Sequence, residues 1–403
     1  MVPGPPPDRH WGQWVRLALG PASALGFARF AYGLLVPAMR SELHWSLAQA
    51  GTLTTANSLG YLLGAAAAAP VARLLGVTVT FRLGMVLTAV ALAVNAVTGR
   101  GYAALLVTRL VAGLAGALVF ITAGVIASRA AARARSAAPL TVCFAGAGLG
   151  IAISGTVLPP LLGHHPGRWP LGWGVLAAAA GLATIISWTA AEGGREDGRE
   201  DGREGGTAGP VFHLRSVARL WPVALAYLLF AAGYIAYITF LSAYLADHHA
   251  GVVQVALTWA LLGLAAVAAP ALWSRPISAW PGARALAALL AGLSAASALA
   301  LVTTAPAAVA GSAIGYGVTF LGVPAAITAL NRAGVAPRDW TGVLAAFTVV
   351  FAAGQTAGPY LAGALADRYG TGATLAWTAA LCGAGAVISA AVRPHASTSL
   401  ERD

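Results

Sequence analysis

The chain has 403 residues, 58% of them apolar and only 9% charged, with a mean hydropathy of +0.76. Ordinary soluble domains carry about 25% charged residues, which excludes a water-soluble globule of this size. The net charge of +11 rests on 24 arginines and no lysine, spread thinly between apolar runs, a pattern of membrane topology and not of a nucleic-acid-binding patch.

A membrane-crossing helix needs roughly 20 apolar residues. Twelve such runs follow one another, at roughly 14–39, 47–70, 81–98, 101–128, 139–163, 170–190, 219–245, 251–273, 284–304, 306–330, 341–365 and 372–392. The first is long, contains Arg29 and follows a proline-rich tail (Pro3, Pro5, Pro6, Pro7), so it reads as a span and not as a cleaved signal. Cys143 and Cys382 both sit inside apolar runs, so neither a disulfide framework nor a metal site is expected, and no cofactor. Between the sixth and seventh runs a repeated Arg-Glu-Asp-Gly unit, from Arg195 to Glu204, is too polar and glycine-rich to fold. The expected organisation is therefore a six-helix bundle over 1–190, a disordered linker over 191–218 and a second six-helix bundle with its tail over 219–403.

Arginine counts orient the chain. With the N-terminus inside, 18 arginines fall in inner tails and loops and four (Arg40, Arg100, Arg168, Arg368) in outer loops. Both termini and the polar linker are expected in the cytoplasm, with the protein in the plasma (inner) membrane. The halves also share an order of landmarks about 200 residues apart: Gly26–Phe30 with Gly233–Tyr237, Pro70 with Pro270, Arg129 with Arg332, and Phe144–Pro159 with Phe351–Pro359.

Six plus six spans around a polar loop resemble the major facilitator superfamily. Arg109-Leu110-Val111-Ala112-Gly113-Leu114-Ala115-Gly116 is similar to that superfamily's fourth-helix motif, and Gly354 through Pro359 with Gly363 through Gly370 to the end of its eleventh helix. The loop after the second span departs from the pattern: Ala72-Arg73-Leu74-Leu75-Gly76 lacks the acidic member of Gly-x-x-x-Asp-Arg-x-Gly. More narrowly, Gly26 through Met39, Ala56 through Gly64 and Gly233 through Phe240 resemble the poorly characterised YbfB/YjiJ-type branch. The resemblance implies an all-α integral membrane protein of twelve transmembrane helices in two six-helix pseudo-repeats, working as a transporter.

None of the 13 acidic residues or eight histidines lies mid-span, so a buried proton-relay carboxylate or imidazole is not expected. Two cations are embedded: Arg29 near the centre of the first span and Arg109 about a third of the way into the fourth. A mid-membrane arginine costs at least about 2.5 kcal/mol, so it faces a wet cavity or a partner. Polar stripes at helical spacing add Tyr32, Thr54, Asn57 or Ser58, Tyr61, Tyr234, Tyr237, Tyr316 and Gln355. The expected substrate-binding set is Arg29, Tyr32, Asn57, Arg109, Tyr234, Tyr237, Trp259, Tyr316 and Gln355, converging on one cavity. Interhelical hydrogen bonding and packing are the competing reading for each tyrosine and for Trp259. Gly113, Gly358, Pro359 and Asp367 are the expected gating residues, with Gly358-Pro359 able to break the eleventh helix.

No span supplies a nucleophile–base set, so an intramembrane enzyme is not expected. The expected activity is secondary active transport by alternating access in a monomer, of a small organic anion or carboxylate-bearing metabolite, by efflux or exchange. The alternative is a multidrug or hydrophobic-compound exporter, and more remotely a non-transporting membrane receptor.

Overall fold

The computed structural model describes residues 8–98, 101–163, 165–191, 220–335 and 339–392. Those residues are all helical apart from turns. Residues 192–218 of the expected linker fall outside them.

Twelve helices are long and apolar enough to cross a membrane. They are α1 (Trp11–Leu43), α2 (Leu47–Leu75), α3 (Val77–Val97), α4 (Tyr102–Ala134), α5 (Ala138–Leu162), α6 (Trp169–Ser187), α7 (Trp221–Asp247), α8 (Val252–Ala279), α9 (Arg284–Val302), α10 (Pro306–Gly334), α11 (Trp340–Tyr369) and α12 (Gly372–Ala391). Several overrun the apolar runs of the sequence. The helix α2 continues through Pro70, α4 past Arg129 and Arg133, and α8 through Pro270. Hydropathy marks where the bilayer ends; a helix continues into water wherever its backbone bonds are kept.

The first six helices pack among themselves through α2–α4, α3–α4, α3–α6 and α1–α5, and the last six through α9–α12, α7–α12, α7–α11 and α8–α10. The two sets meet along α2–α11, α5–α8 and α1–α7. Every residue from Gly20 to Val36 of α1 and from Gly233 to Leu245 of α7 is buried, which puts these two helices at the centre.

The helix α1 is not a uniform α-helix. Residues Ala22–Phe30 form a π-helical stretch, closed by Ala31 N–H donating to the Gly26 carbonyl. It begins directly after Pro21, which has no N–H to donate to the Leu17 carbonyl and whose ring crowds it. Wide turns of this kind re-aim side chains. Arg29 lies in this one.

Close approach between the two sets needs small residues. A Cβ on Gly33 would stand 2.1 Å from the Ile238 carbonyl oxygen of α7, and one on Gly51 would stand 2.3 Å from that of Pro359 in α11.

Candidate functional site

Arg29 is 5% exposed and reaches across the middle of the bundle. Its Nη2 donates to Ser58 Oγ (3.3 Å) of α2, Tyr234 OH (3.3 Å) of α7 and Gln355 Oε1 (2.6 Å) of α11. Tyr234 OH also donates to Gln355 Oε1 at 3.5 Å. The guanidinium carbon lies 5.0 Å from the centre of the Tyr61 ring. One side chain of the first six helices is thereby bonded to two of the last six. All three bonds leave from a single nitrogen, and all three acceptors are neutral. Arg29 has no ion pair among the described residues.

The site is closed on one side. Call the face where α1 begins and α12 ends the termini face, and the other the opposite face. One turn from Arg29 toward the opposite face, Thr54 and Thr239 share a hydrogen bond at 3.2 Å, and Thr55 Oγ1 donates to the Thr356 carbonyl at 2.6 Å. At that face Arg40 of α1 pairs with Asp247 of α7 at 3.9 Å, and Thr371 Oγ1 donates to the same aspartate at 2.8 Å. Asp367, on the last turn of α11, accepts from the first backbone N–H groups of α2, Leu47 at 2.7 Å and Ala48 at 3.0 Å. A carboxylate on a helix N-terminus is a favourable electrostatic contact, and here it joins the two halves. Toward the termini face the picture reverses. Tyr61 and Phe351, one turn beyond Ser58 and Gln355, are each partly exposed.

Of the residues expected from the sequence, Arg29, Tyr234 and Gln355 come together. The others sort into two flanking clusters. Arg109, fully buried in α4, donates from Nη1 to the Ala28 carbonyl in the π-helical stretch. Its guanidinium carbon lies 4.8 Å from the Tyr32 ring and 5.5 Å from that of Trp173, and these two rings stack 6.1 Å apart. Its Nε and Nη2 are buried with no hydrogen-bond partner in the structure. Tyr32 OH donates to the Ala50 carbonyl at 2.9 Å, and Asn57 Nδ2 to the Arg109 carbonyl at 3.1 Å. This cluster lies wholly within the first six helices. Arg109 braces the stretch that carries Arg29 from behind.

On the other side Tyr237 and Tyr316 stack at 3.9 Å, with Tyr237 OH and Ser312 Oγ 2.7 Å apart. Tyr316 OH donates to the carbonyl of Tyr234, fixing the backbone that presents that phenol. Trp259 Nε1 donates to Ser242 Oγ at 2.9 Å; its ring packs against Gly33 of α1, and its Cβ and backbone against Gly155 of α5. These three side chains back the site from within the second half.

The residues expected to gate are also divided. Gly113 lets α4 touch the Asn57 carbonyl of α2, and Gly358 lets α11 touch the Ala232 carbonyl of α7, so both are contacts inside one half. The helix α11 runs unbroken through Gly358-Pro359, which corrects the expected break: proline removes one backbone bond, and neighbouring helices hold the rest of the turn. Pro359 and Asp367 do lie at the seam between halves. Ser58 and Tyr61 make the direct contacts with Arg29, and not Asn57. The spacing Thr54, Ser58, Tyr61 (i, i+4, i+7) is the sequence signal for that face, and Asn57 is about 100° off it.

Residues 21–393 match the model of the family described as uncharacterised MFS-type transporter YbfB. The chain belongs to that family. It is a major facilitator transporter of small molecules and a multi-pass membrane protein. Among solved structures it is similar to a point mutant of the nucleoside transporter NupG (TM-score 0.70, 14% identity, 94% of this chain and 98% of that one). NupG itself aligns with a TM-score of 0.67 at 15% identity over the same shares. A bacterial homologue of the human lysosomal transporter Spinster, in an inward-facing and unoccupied conformation, aligns with a TM-score of 0.65 at 17% identity over 96% of both chains. These likenesses show the twelve-helix fold. No curated protein matches the chain in sequence.

Proposed function

We propose that this transporter carries a small organic anion bearing a carboxylate, by alternating access of the halves 1–190 and 219–403, and works by exchange or efflux. The observation that carries the reading is Arg29: a buried guanidinium between the halves, hydrogen-bonded through Nη2 to neutral oxygens, with no acid among the described residues to neutralise it. The permanent positive charge repels a lipophilic cation and attracts an anion.

The same geometry supplies a mechanism. Opening the opposite face pulls Tyr234 and Gln355 away from Arg29, stripping a buried cation of two of its three acceptors. An unpaired buried charge is costly. A carboxylate on the guanidinium replaces those acceptors with a charge-assisted contact of roughly 1.5–3 kcal/mol. The loaded carrier crosses the barrier more readily than the empty one, which is the condition for exchange. Asp367, Pro359 and the Arg40–Asp247 pair form the gate that must open. The 18-to-4 arginine asymmetry supports a cytoplasmic termini face in the plasma membrane, and with that orientation the closed opposite face is the outer one. One chain holds the whole site, which supports a monomer.

The test is ligand-dependent thermal stabilisation of the purified protein by matched organic anions, cations and neutral compounds, in wild type and Arg29→Ala. Stabilisation by anions that the substitution abolishes is the expected result. Stabilisation by cations or neutral drugs that survives the substitution overturns it.

A further inference from the structure

Two helices place aromatic rings in register beside Arg29. On α7, Tyr227, Phe230 and Tyr234 stand at i, i+3 and i+7; on α11, Phe347, Phe351 and Gln355 stand at i, i+4 and i+8, so each column ends in a group bonded to the guanidinium. The rings lie nearly parallel. Tyr227 and Phe230 are 6.1 Å apart at 4°, Phe230 and Tyr234 4.8 Å at 15°, and Phe351 meets Tyr227 at 5.0 Å and 21° and Tyr234 at 5.8 Å and 21°. This row runs from Arg29 toward the termini face. Phe351 is partly exposed, and Tyr61, one turn beyond Ser58 on α2 toward the same face, is partly exposed too and has Arg29 over its ring. Arg29 spends Nη2 on its three neutral partners, and among the described residues its other nitrogens make no hydrogen bond, which leaves them for a ligand.

We propose that the anion carried here bears a flat aromatic ring next to its carboxylate. The inference rests on the anion reading above and deepens it. The carboxylate takes Arg29, and the ring slides between Tyr61 of the first half and Phe351 of the second. A saturated ring of equal size buries the same apolar area but has no π-face to offer to either neighbour. Because the two rings belong to different halves, an aromatic ligand bridges them, as its carboxylate does through Arg29.

The experiment measures binding of 2-naphthoate and decahydro-2-naphthoate to the purified full-length protein by equilibrium dialysis, in wild type, Phe351→Leu, Tyr61→Leu and Arg29→Gln. Wild type should prefer the aromatic acid about tenfold, the benefit of two ring contacts. Either leucine variant should cut that preference to about threefold, by removing one of the two ring contacts, while Arg29→Gln weakens both acids alike and leaves their ratio. Equal binding of the two acids by wild type overturns the aromatic inference and leaves the anion reading standing. Failure of both acids to bind at about 10 mM, where even a very weak site fills, overturns both. The preference is read on wild type alone, so a variant that fails to fold leaves the test intact, and a preference unchanged in both leucine variants removes these rings from the site.

Discussion

Two guanidiniums sit in the apolar layer of this protein and do different things. Arg29 joins the halves through three neutral acceptors, and Arg109 is sealed inside one half against a carbonyl and two rings. Arg29→Ala is expected to weaken carboxylate binding ten- to a hundredfold, from a contact of roughly 1.5–3 kcal/mol, while the protein keeps its fold. Arg109→Lys should behave in the opposite way. A lysine lacks the flat fork that lies on Tyr32 and Trp173, and a desolvated cation–π contact contributes about 2 kcal/mol. Thermal unfolding should therefore show destabilisation of that order with carboxylate affinity retained; a stable Arg109→Lys protein that no longer binds the anion would place Arg109 in the site. Much of this was legible in the sequence, because Arg29, Tyr234 and Gln355 are polar residues in apolar helices and have to meet something. The choice of Ser58 over Asn57 was not. Two adjacent residues differ by 100° around the helix, and only the docking of α2 on α4, which turns Asn57 toward the Arg109 carbonyl, decides between them.

Among the helices, the seam at the opposite face is the part that the proposed alternation has to open. The end of α2 lacks the acidic member usual in the superfamily, whereas Gly363-Ala364-Leu365-Ala366-Asp367-Arg368-Tyr369-Gly370 at the end of α11 has the spacing intact, and its aspartate accepts from the first N–H groups of α2. If the Asp367 contact serves as a latch in the proposed alternation, its presence without a counterpart after α2 biases the carrier toward the state closed at the opposite face. Asp367→Asn should release about 1–2 kcal/mol of that bias, the upper range of a carboxylate on a helix N-terminus, shifting the population roughly five- to thirtyfold. The measurement is alkylation of a cysteine at Thr54 from the opposite side of the membrane, which should quicken by that factor. Gly51→Leu, which drives a side chain into the Pro359 carbonyl, should open the same seam by steric force. The apolar runs showed which segments cross the membrane. They were silent about the π-helical stretch in α1, since Pro21 announces a disturbance but the packing around it selects a wide turn over a kink.

Single cysteines at Gly202 and Ala250 should label from opposite sides of the membrane, Gly202 from the cytoplasm; labelling of both from outside would reverse the orientation. In the proposed cycle Arg29 makes the movement of the halves conditional on an anion. Proteoliposome counterflow tests it most directly, with a labelled aromatic carboxylate outside and an unlabelled one, a matched cation or buffer alone inside. Wild type should accumulate label only against internal carboxylate, and Arg29→Ala should lose that dependence together with most of the flux. Accumulation that is equally fast against an internal cation or buffer, and that survives Arg29→Ala, would contradict the account.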